Sequence, residues 1–350
     1  MTRIPGILAI IVLASPLTAG EPVPAGRITL DGKPRTSAET AAYVESVTGV
    51  KIKFGYNNGF SKATAQGEPF WDFIQRLVME GEIHRLRVKD SGKTLEIDGR
   101  GAKPTFIGPA SADGAFRVQL RSVNAKIEQG GSYYDVTIEV HWEPRIPVFR
   151  IDTQPLITSA VDDSGVKLTS KTAKTKSPIG DSYLFTSTFR LDGLTRESKS
   201  IAKLEGSFYV TASPKMLAFT FDDLNAKLPV TKEQHGVSVT LAKFAPVENR
   251  WDAAFKLVYP ESHPEFESFE SWADGNKLRL INPDRTKTFS PDNFAISGSG
   301  SKLGGDYRFI TKDGKGPVVG DRNGLTLVYD TPAPLTEFFV KFSLKDILLP

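Results

Sequence analysis

The chain has 350 residues, 39% hydrophobic and 24% charged, with a formal net charge of +3 and no cysteine. That composition excludes wholesale disorder, disulfide stapling, thiol chemistry and thiolate metal centres. The near-neutral balance supplies no whole-molecule field to draw in nucleic acid or an acidic membrane, so the domains must rest on core packing.

Met1-Thr2-Arg3, the apolar run Ile7 to Ala14 and the small-residue stretch Ser15 to Gly20 form the three-part layout of a secretory signal. The run is too short for a transmembrane helix, which needs about 20 apolar residues. Thr18 and Gly20 satisfy a signal peptidase if the cut precedes Glu21. Residues 1–20 are therefore expected to be removed, and the mature chain to be exported to the periplasm, the cell surface or beyond, with no transmembrane segment. Residues 21–26, Glu-Pro-Val-Pro-Ala-Gly, are expected to form a flexible leader.

Residues 27–100 read as a small α+β domain. Arg27 to Leu30 is a short strand, and Ser37 to Thr48 carries a Thr36/Ser37 cap region with Gly49 at its stop. Val50, Ile52 and Phe54 alternate with lysines as a half-buried strand does. Phe70, Phe73, Ile74, Leu77 and Val78 recur at helical spacing between Pro69 and Gly81, which predicts a helix over 69–80. Ile83 to Val88, the turn Asp90-Ser91-Gly92 and Thr94 to Ile97 predict a hairpin.

From Phe116 the pattern changes to alternation. Tyr134, Val136, Ile138, Val140 and Trp142 face one way, and Asp135, Thr137, Glu139 and His141 the other. Further runs at 156–161, 166–168, 183–191, 201–210 and 217–221 are separated by turns such as Asp162 to Gly165 and Asp192-Gly193. The last third repeats the manner, from Val237 to Leu241 through Trp251 to Tyr259 to Glu337 to Leu344, with Ser297-Gly298-Ser299-Gly300 as a flexible turn. The two halves match best at their closing strands: Phe219-Thr220-Phe221-Asp222-Asp223-Leu224 resembles Phe342-Ser343-Leu344-Lys345-Asp346-Ile347. The expected fold is mainly β, with the α+β domain followed by two antiparallel β-sandwich domains at 113–232 and 233–350.

The segment Gly67-Glu68-Pro69-Phe70-Trp71-Asp72-Phe73-Ile74-Gln75-Arg76-Leu77, followed by the strands 83–88 and 95–97, resembles the short N-terminal domain shared by secretins and some TonB-dependent receptors (the STN domain). The resemblance implies contacts between envelope proteins. The pore-forming secretin core and the receptor barrel are both missing from this sequence. Val136 to Pro144, Glu267 to Trp272, Leu327 to Pro332 and Phe342 to Pro350 also resemble a group of exported bacterial proteins common in planctomycetes, which implies domain order and export but no chemistry.

Candidate chemistry is sparse. His141 shares a strand face with Glu139 and Asp135, a geometry open to a metal, although a solvated polar face accounts for it more simply. The acidic stretch around His263 lacks the spaced ligands of a Ca²⁺ loop. No nucleophile elbow or phosphate loop is present, and the neighbours Asp162-Asp163 and Asp222-Asp223 point to opposite faces if they lie on strands. Lys167, Lys171, Lys174 and Lys176 read as a solvated basic loop. No catalytic residue, cofactor or metal is expected. The aromatic loop residues Phe266, Phe269 and Trp272 are the candidate binding surface, weighed against core packing. The expected function is a non-enzymatic envelope adaptor with a protein partner; the alternative is carbohydrate or polymer binding through those aromatics.

Overall fold

The computed structural model of the chain describes residues 21–55, 63–99, 107–128, 131–171, 175–195, 198–260, 276–311 and 316–350. The signal segment expected at 1–20 lies outside the described residues. Strand accounts for 57% of the described residues and helix for 9%, so the fold is mainly β, as the alternation predicts.

The N-terminal unit runs β1 (Arg27–Asp31), α1 (Ser37–Thr48), β2 (Lys51–Phe54), β3 (Thr64–Pro69), α2 (Phe70–Met79), β4 (Arg85–Lys89) and β5 (Thr94–Asp98). Thr36 and Glu39 close a reciprocal capping box on α1, and Gly49 ends it in the left-handed region at φ 75°. The apolar spacing of α2 buries Phe70, Trp71, Phe73, Ile74 and Leu77. Strand β3 has no apolar alternation to announce it; it pairs antiparallel with β1 and runs directly into α2. The predicted hairpin is β4–β5, and β2 joins β5 in parallel.

Residues 21–26 are bound into the fold, contrary to the flexible leader expected. Val23 packs in the core of the following unit and its carbonyl accepts the Ala115 N–H at 2.8 Å. Gly26 is buried, with its N–H on the Glu143 carboxylate and its carbonyl accepting from Phe70. A proline-rich segment has few backbone donors to lose, so the edge of a neighbouring sheet can hold it at low entropic cost.

The middle unit is built from β6 (Ala110–Asp113), β7 (Phe116–Glu128), β8 (Gly131–Trp142), β9 (Val148–Asp152), β10 (Leu156–Asp162), β11 (Lys176–Pro178), β12 (Leu184–Leu191) and β13 (Ser200–Ala212). One sheet has the order β12-β8-β7-β6 and the other β10-β13-β9-β11. Their facing side chains, among them Phe116, Trp142, Phe189 and Phe208, share one core. The candidate strand at 166–168 contributes only an isolated bridge between Val161 and Lys167.

The C-terminal region follows with β14 (Met216–Phe221), β15 (Val230–Gln234), β16 (Val237–Val247), β17 (Arg250–Val258), β18 (Lys277–Ile281), β19 (Thr288–Phe289), β20 (Asn293–Ser299), β21 (Lys302–Ile310), β22 (Thr326–Pro332) and β23 (Thr336–Leu348). Sheets β15-β16-β17-β21-β20 and β14-β22-β18-β19 enclose a second core around Trp251, Phe255, Phe219 and Tyr329.

The two halves exchange their closing strands. β14 follows β13 in the chain but pairs with β22, while β23 follows β22 and pairs with β13. Adding 123 to each β14 residue and subtracting 123 from its partner turns Phe221↔Leu327 into Leu344↔Leu204, and Met216↔Pro332 into Phe339↔Tyr209. Every β14 pair converts in this way into an observed β23 pair. A cut at residue 233 falls inside β15, and the segments 113–232 and 233–350 each complete the other's sheet.

Leu344 on β23 lies in the middle core at 1% exposure. Leu344→Ala is expected to cost about 2–5 kcal/mol. Hydrogen exchange should show amide protection in β13 falling before that in β17; the reverse order would contradict the exchange.

Candidate functional site

A sheet edge displays unpaired N–H and C=O groups, and natural folds blunt such edges with charge, proline, short length or side-chain caps. Most edges here are blunted. The β6 and β23 edges meet, with Ser111 Oγ accepting the Ser343 N–H at 3.3 Å and Asp113 Oδ2 accepting the Lys341 N–H at 2.7 Å. Gln154 Nε2 donates to the Thr188 carbonyl on β12 at 3.3 Å, and Gln234 Nε2 to the Ala218 carbonyl on β14 at 2.9 Å. β2, β4 and β15 carry charged residues, β11 ends on Pro178, and β19 is two residues long.

β20 has none of these devices. Its sequence, Asn293-Phe294-Ala295-Ile296-Ser297-Gly298-Ser299, holds no charge and no proline, and its register with β21 runs unbroken from Asn293↔Arg308 to Ser299↔Lys302. No described side chain caps its outer edge. Phe294 stacks on Tyr307 with ring centroids 6.1 Å apart and remains 53% exposed. The Ser297–Gly300 stretch, predicted as a flexible turn, is strand as far as Ser299, and the turn narrows to Gly300 and Ser301.

A second polar constellation lies where α2 covers the outer face of β7 and β8. Register places Arg117 opposite His141 and Gln119 opposite Glu139. The face predicted to be solvated is sealed: Trp71 donates its indole N–H to the Ala115 carbonyl at 3.0 Å, and its ring lies 6.2 Å from the His141 ring and 5.9 Å from the Arg117 guanidinium. His141 is 2% exposed because the N-terminal unit uses this sheet face as its floor. Its Nε2 lies 3.3 Å from Glu139 Oε2, while Nδ1 is buried without a partner among the described residues. Burial holds the imidazole below its ordinary value, against the opposing pull of Glu139. Arg117 is fully desolvated, which lowers its guanidinium to about 10; Nη1 donates to Gln119 Oε1 at 2.5 Å, and Nε and Nη2 have no partner among the described residues.

Beside this face, Glu143 accepts the Gly26 N–H on both oxygens, at 2.9 and 3.0 Å, and Arg145 Nε at 2.6 Å. Its burial raises the carboxyl above the usual range, against the Arg145 charge. These contacts join the N-terminal unit to the middle one. Asp135 is not brought to His141; it sits opposite Asn124 and Arg190. Among the described residues no group of three or more His, Asp or Glu could hold a metal ion, and no helix is long and apolar enough to cross a membrane.

Phe266, Phe269, Trp272, His263 and Lys174 lie outside the described residues. Lys171 is exposed, and Lys176 is a β11 residue that sits over the Tyr209 ring at 5.1 Å and 3.9 Å from Glu337. Asp162 holds its own turn, accepting from Ser164 N, Val166 N and Ser198 Oγ, and Asp223 accepts from Asn225 N. Arg117 and Glu143 escape the sequence analysis because both belong to polar alternation that equally suits solvent. No protein-family model, curated protein or solved structure matches the chain.

The buried imidazole makes stability depend on pH with a defined sign. Below about 6.5, the ordinary histidine value, the unfolded chain binds a proton that the folded His141 refuses, so stability falls as pH drops through that range. The raised carboxyls of Asp72 and Glu143 act in the opposite sense at lower pH. Urea midpoints are expected to fall between about pH 7.5 and 5.5, and His141→Gln should flatten that step; an unchanged step would remove His141 as its source.

Proposed function

We propose that the protein is a non-enzymatic binding module of the cell envelope, which takes an extended segment of a partner protein onto β20 as an added strand. The observation that carries this is an uncharged edge that no described side chain caps, in a molecule most of whose other described edges are blunted. A strand laid along β20 would gain main-chain hydrogen bonds and cover the Phe294 ring, whose full burial is worth about 1.5–3 kcal/mol. The register of β20 sets the partner's chemistry. Phe294 and Ile296 lie on the face of Tyr307, while Ala295 and Ser297 lie on the face of Asp306 and Gly304. The complementary segment therefore alternates apolar and small polar residues. The secretory signal layout supports export, and the likeness of residues 27–98 to a domain of envelope-protein contacts supports the setting.

The test is a photo-crosslinking residue at Ser297 in the mature chain, expressed in its own envelope. A discrete adduct with another protein is expected. Phe294→Asp should abolish it while leaving the thermal midpoint within the range of an ordinary surface change, about 0.5 kcal/mol. An adduct that survives this substitution, or one formed only between two copies of the chain, would overturn the proposal.

A further inference from the structure

The internal repeat singles out the sheet face beneath α2. The bulge after Leu120 in β7 recurs after Leu241 in β16, which aligns the pair Val118↔Val140 with Val239↔Leu257. His141 opposite Arg117 then corresponds to Val258 opposite Ser238, and Glu139 opposite Gln119 to Lys256 opposite Thr240. Burial is the reverse of what these side chains favour. Val258 is 40% exposed on its sheet, whereas Arg117 and His141 are 1% and 2% exposed under α2. Packing alone would put the valine beneath a helix and the ionisable groups in water.

The charges around the imidazole do not balance. Arg117 and Arg121 act on it from β7, and Glu139 from its own strand. Glu139 already holds Arg121 on Oε1 and His141 Nε2 on Oε2. Against His141, α2 brings the Trp71 ring and β12 sets Leu184, and neither side chain can answer a new charge. The junction also carries the carboxyls of Asp72 on α2 and Glu143 beside Arg145, each raised by burial. With His141 neutral, two guanidinium groups already face one carboxylate. A proton on the ring adds a further positive charge, and Nδ1, which has no partner among the described residues, becomes a buried donor with nothing to accept from it.

We propose that this junction is a pH-sensitive latch, in which a proton on His141 releases α2 from the outer face of β7 and β8 while both β cores stay folded. The apolar cores allow such a parting. The N-terminal core and the middle core are separate clusters, and Val23 of the leader belongs to the middle one. Hydrogen bonds such as Gly26 N–H on Glu143, Trp71 on the Ala115 carbonyl and the Tyr183 N–H on the Ser91 carbonyl span the seam. Once the seam opens, the solvated imidazole takes a proton at about pH 6.5. In the closed pose burial holds it lower, so that pose loses stability as pH falls below about 6.5. The latch is independent of strand addition at β20.

The experiment is native-state amide hydrogen exchange of the mature chain between about pH 7.5 and 5.5, with and without low urea. The Gly26 and Tyr183 amides, both hydrogen-bonded across the seam, report the latch; Leu204 in β13 and Phe255 in β17 report the two cores. The seam amides are expected to exchange through an opening that low urea does not accelerate, and the core amides through one that it does. The seam's opening constant should rise about tenfold for each pH unit below about 6.5. His141→Gln should abolish that rise, whereas Glu143→Gln, read at Tyr183, should retain it. A seam that opens only together with the cores, an opening constant that does not rise, a rise that survives His141→Gln or one lost in Glu143→Gln would each overturn the latch.

Discussion

The pairing of β13 with β23 and of β22 with β14 is the constraint on which everything after residue 113 depends. Each strand supplies apolar side chains to a core belonging mostly to the other half: Phe342, Leu344 and Ile347 enter the middle core, and Phe219 and Phe221 the C-terminal one. The two crossing segments are fastened to each other. Ser213 is fully buried, with its hydroxyl on the Lys215 carbonyl at 2.8 Å and within 3.0 Å of the Ala333 carbonyl, and the Ala333 N–H donates to Lys215 at 2.9 Å. With no disulfide to close long loops, this reciprocal closure ties the halves together, since neither core is complete until both strands cross.

The N-terminal unit is attached on a different principle. Its contacts with the middle unit include buried polar ones, Glu143 on Gly26 and Trp71 on the Ala115 carbonyl, and a more exposed one, the Tyr183 N–H on the Ser91 carbonyl at 2.6 Å. Partly satisfied groups such as Arg117 Nη2 and His141 Nδ1 remain at this junction. Buried polar junctions fix orientation more than they add net stability. The α+β unit is therefore held in one pose by geometry, while the β region is held by packed apolar area.

What was legible in the sequence follows from what a local pattern can encode. Alternation gave β8, β12 and β17 nearly to their ends because each has one face in a core, whereas of β7 it gave only Phe116 to Leu120. The likeness of Phe219–Leu224 to Phe342–Ile347 was equally visible, yet the exchange was not: both strands carry the same pattern, so either fits either core, and only the connection settles the partner. His141 was misjudged for a related reason. Its alternation correctly places it off the sheet's own core, but a second domain can seal an outer face, and no periodicity within one strand reports that. β20 was hidden by composition, since a Ser-Gly stretch reads as a turn until Gly304 and Gly305 of β21 are found beside it. The aromatic surface of Phe266, Phe269 and Trp272 lies in none of the described elements.

The repeat also explains where the site proposed on β20 falls. The sheet β12-β8-β7-β6 corresponds strand for strand to β21-β17-β16-β15, and β20 is the strand added beyond β21 with no counterpart in the middle unit. Packing alone gives little reason for that departure, since an extra exposed edge adds little core. Within a duplicated framework, features that cost stability and break the symmetry are where selection for contact would leave a mark. On that argument β20 stands apart from the many polar residues that satisfy turns, edges and junctions.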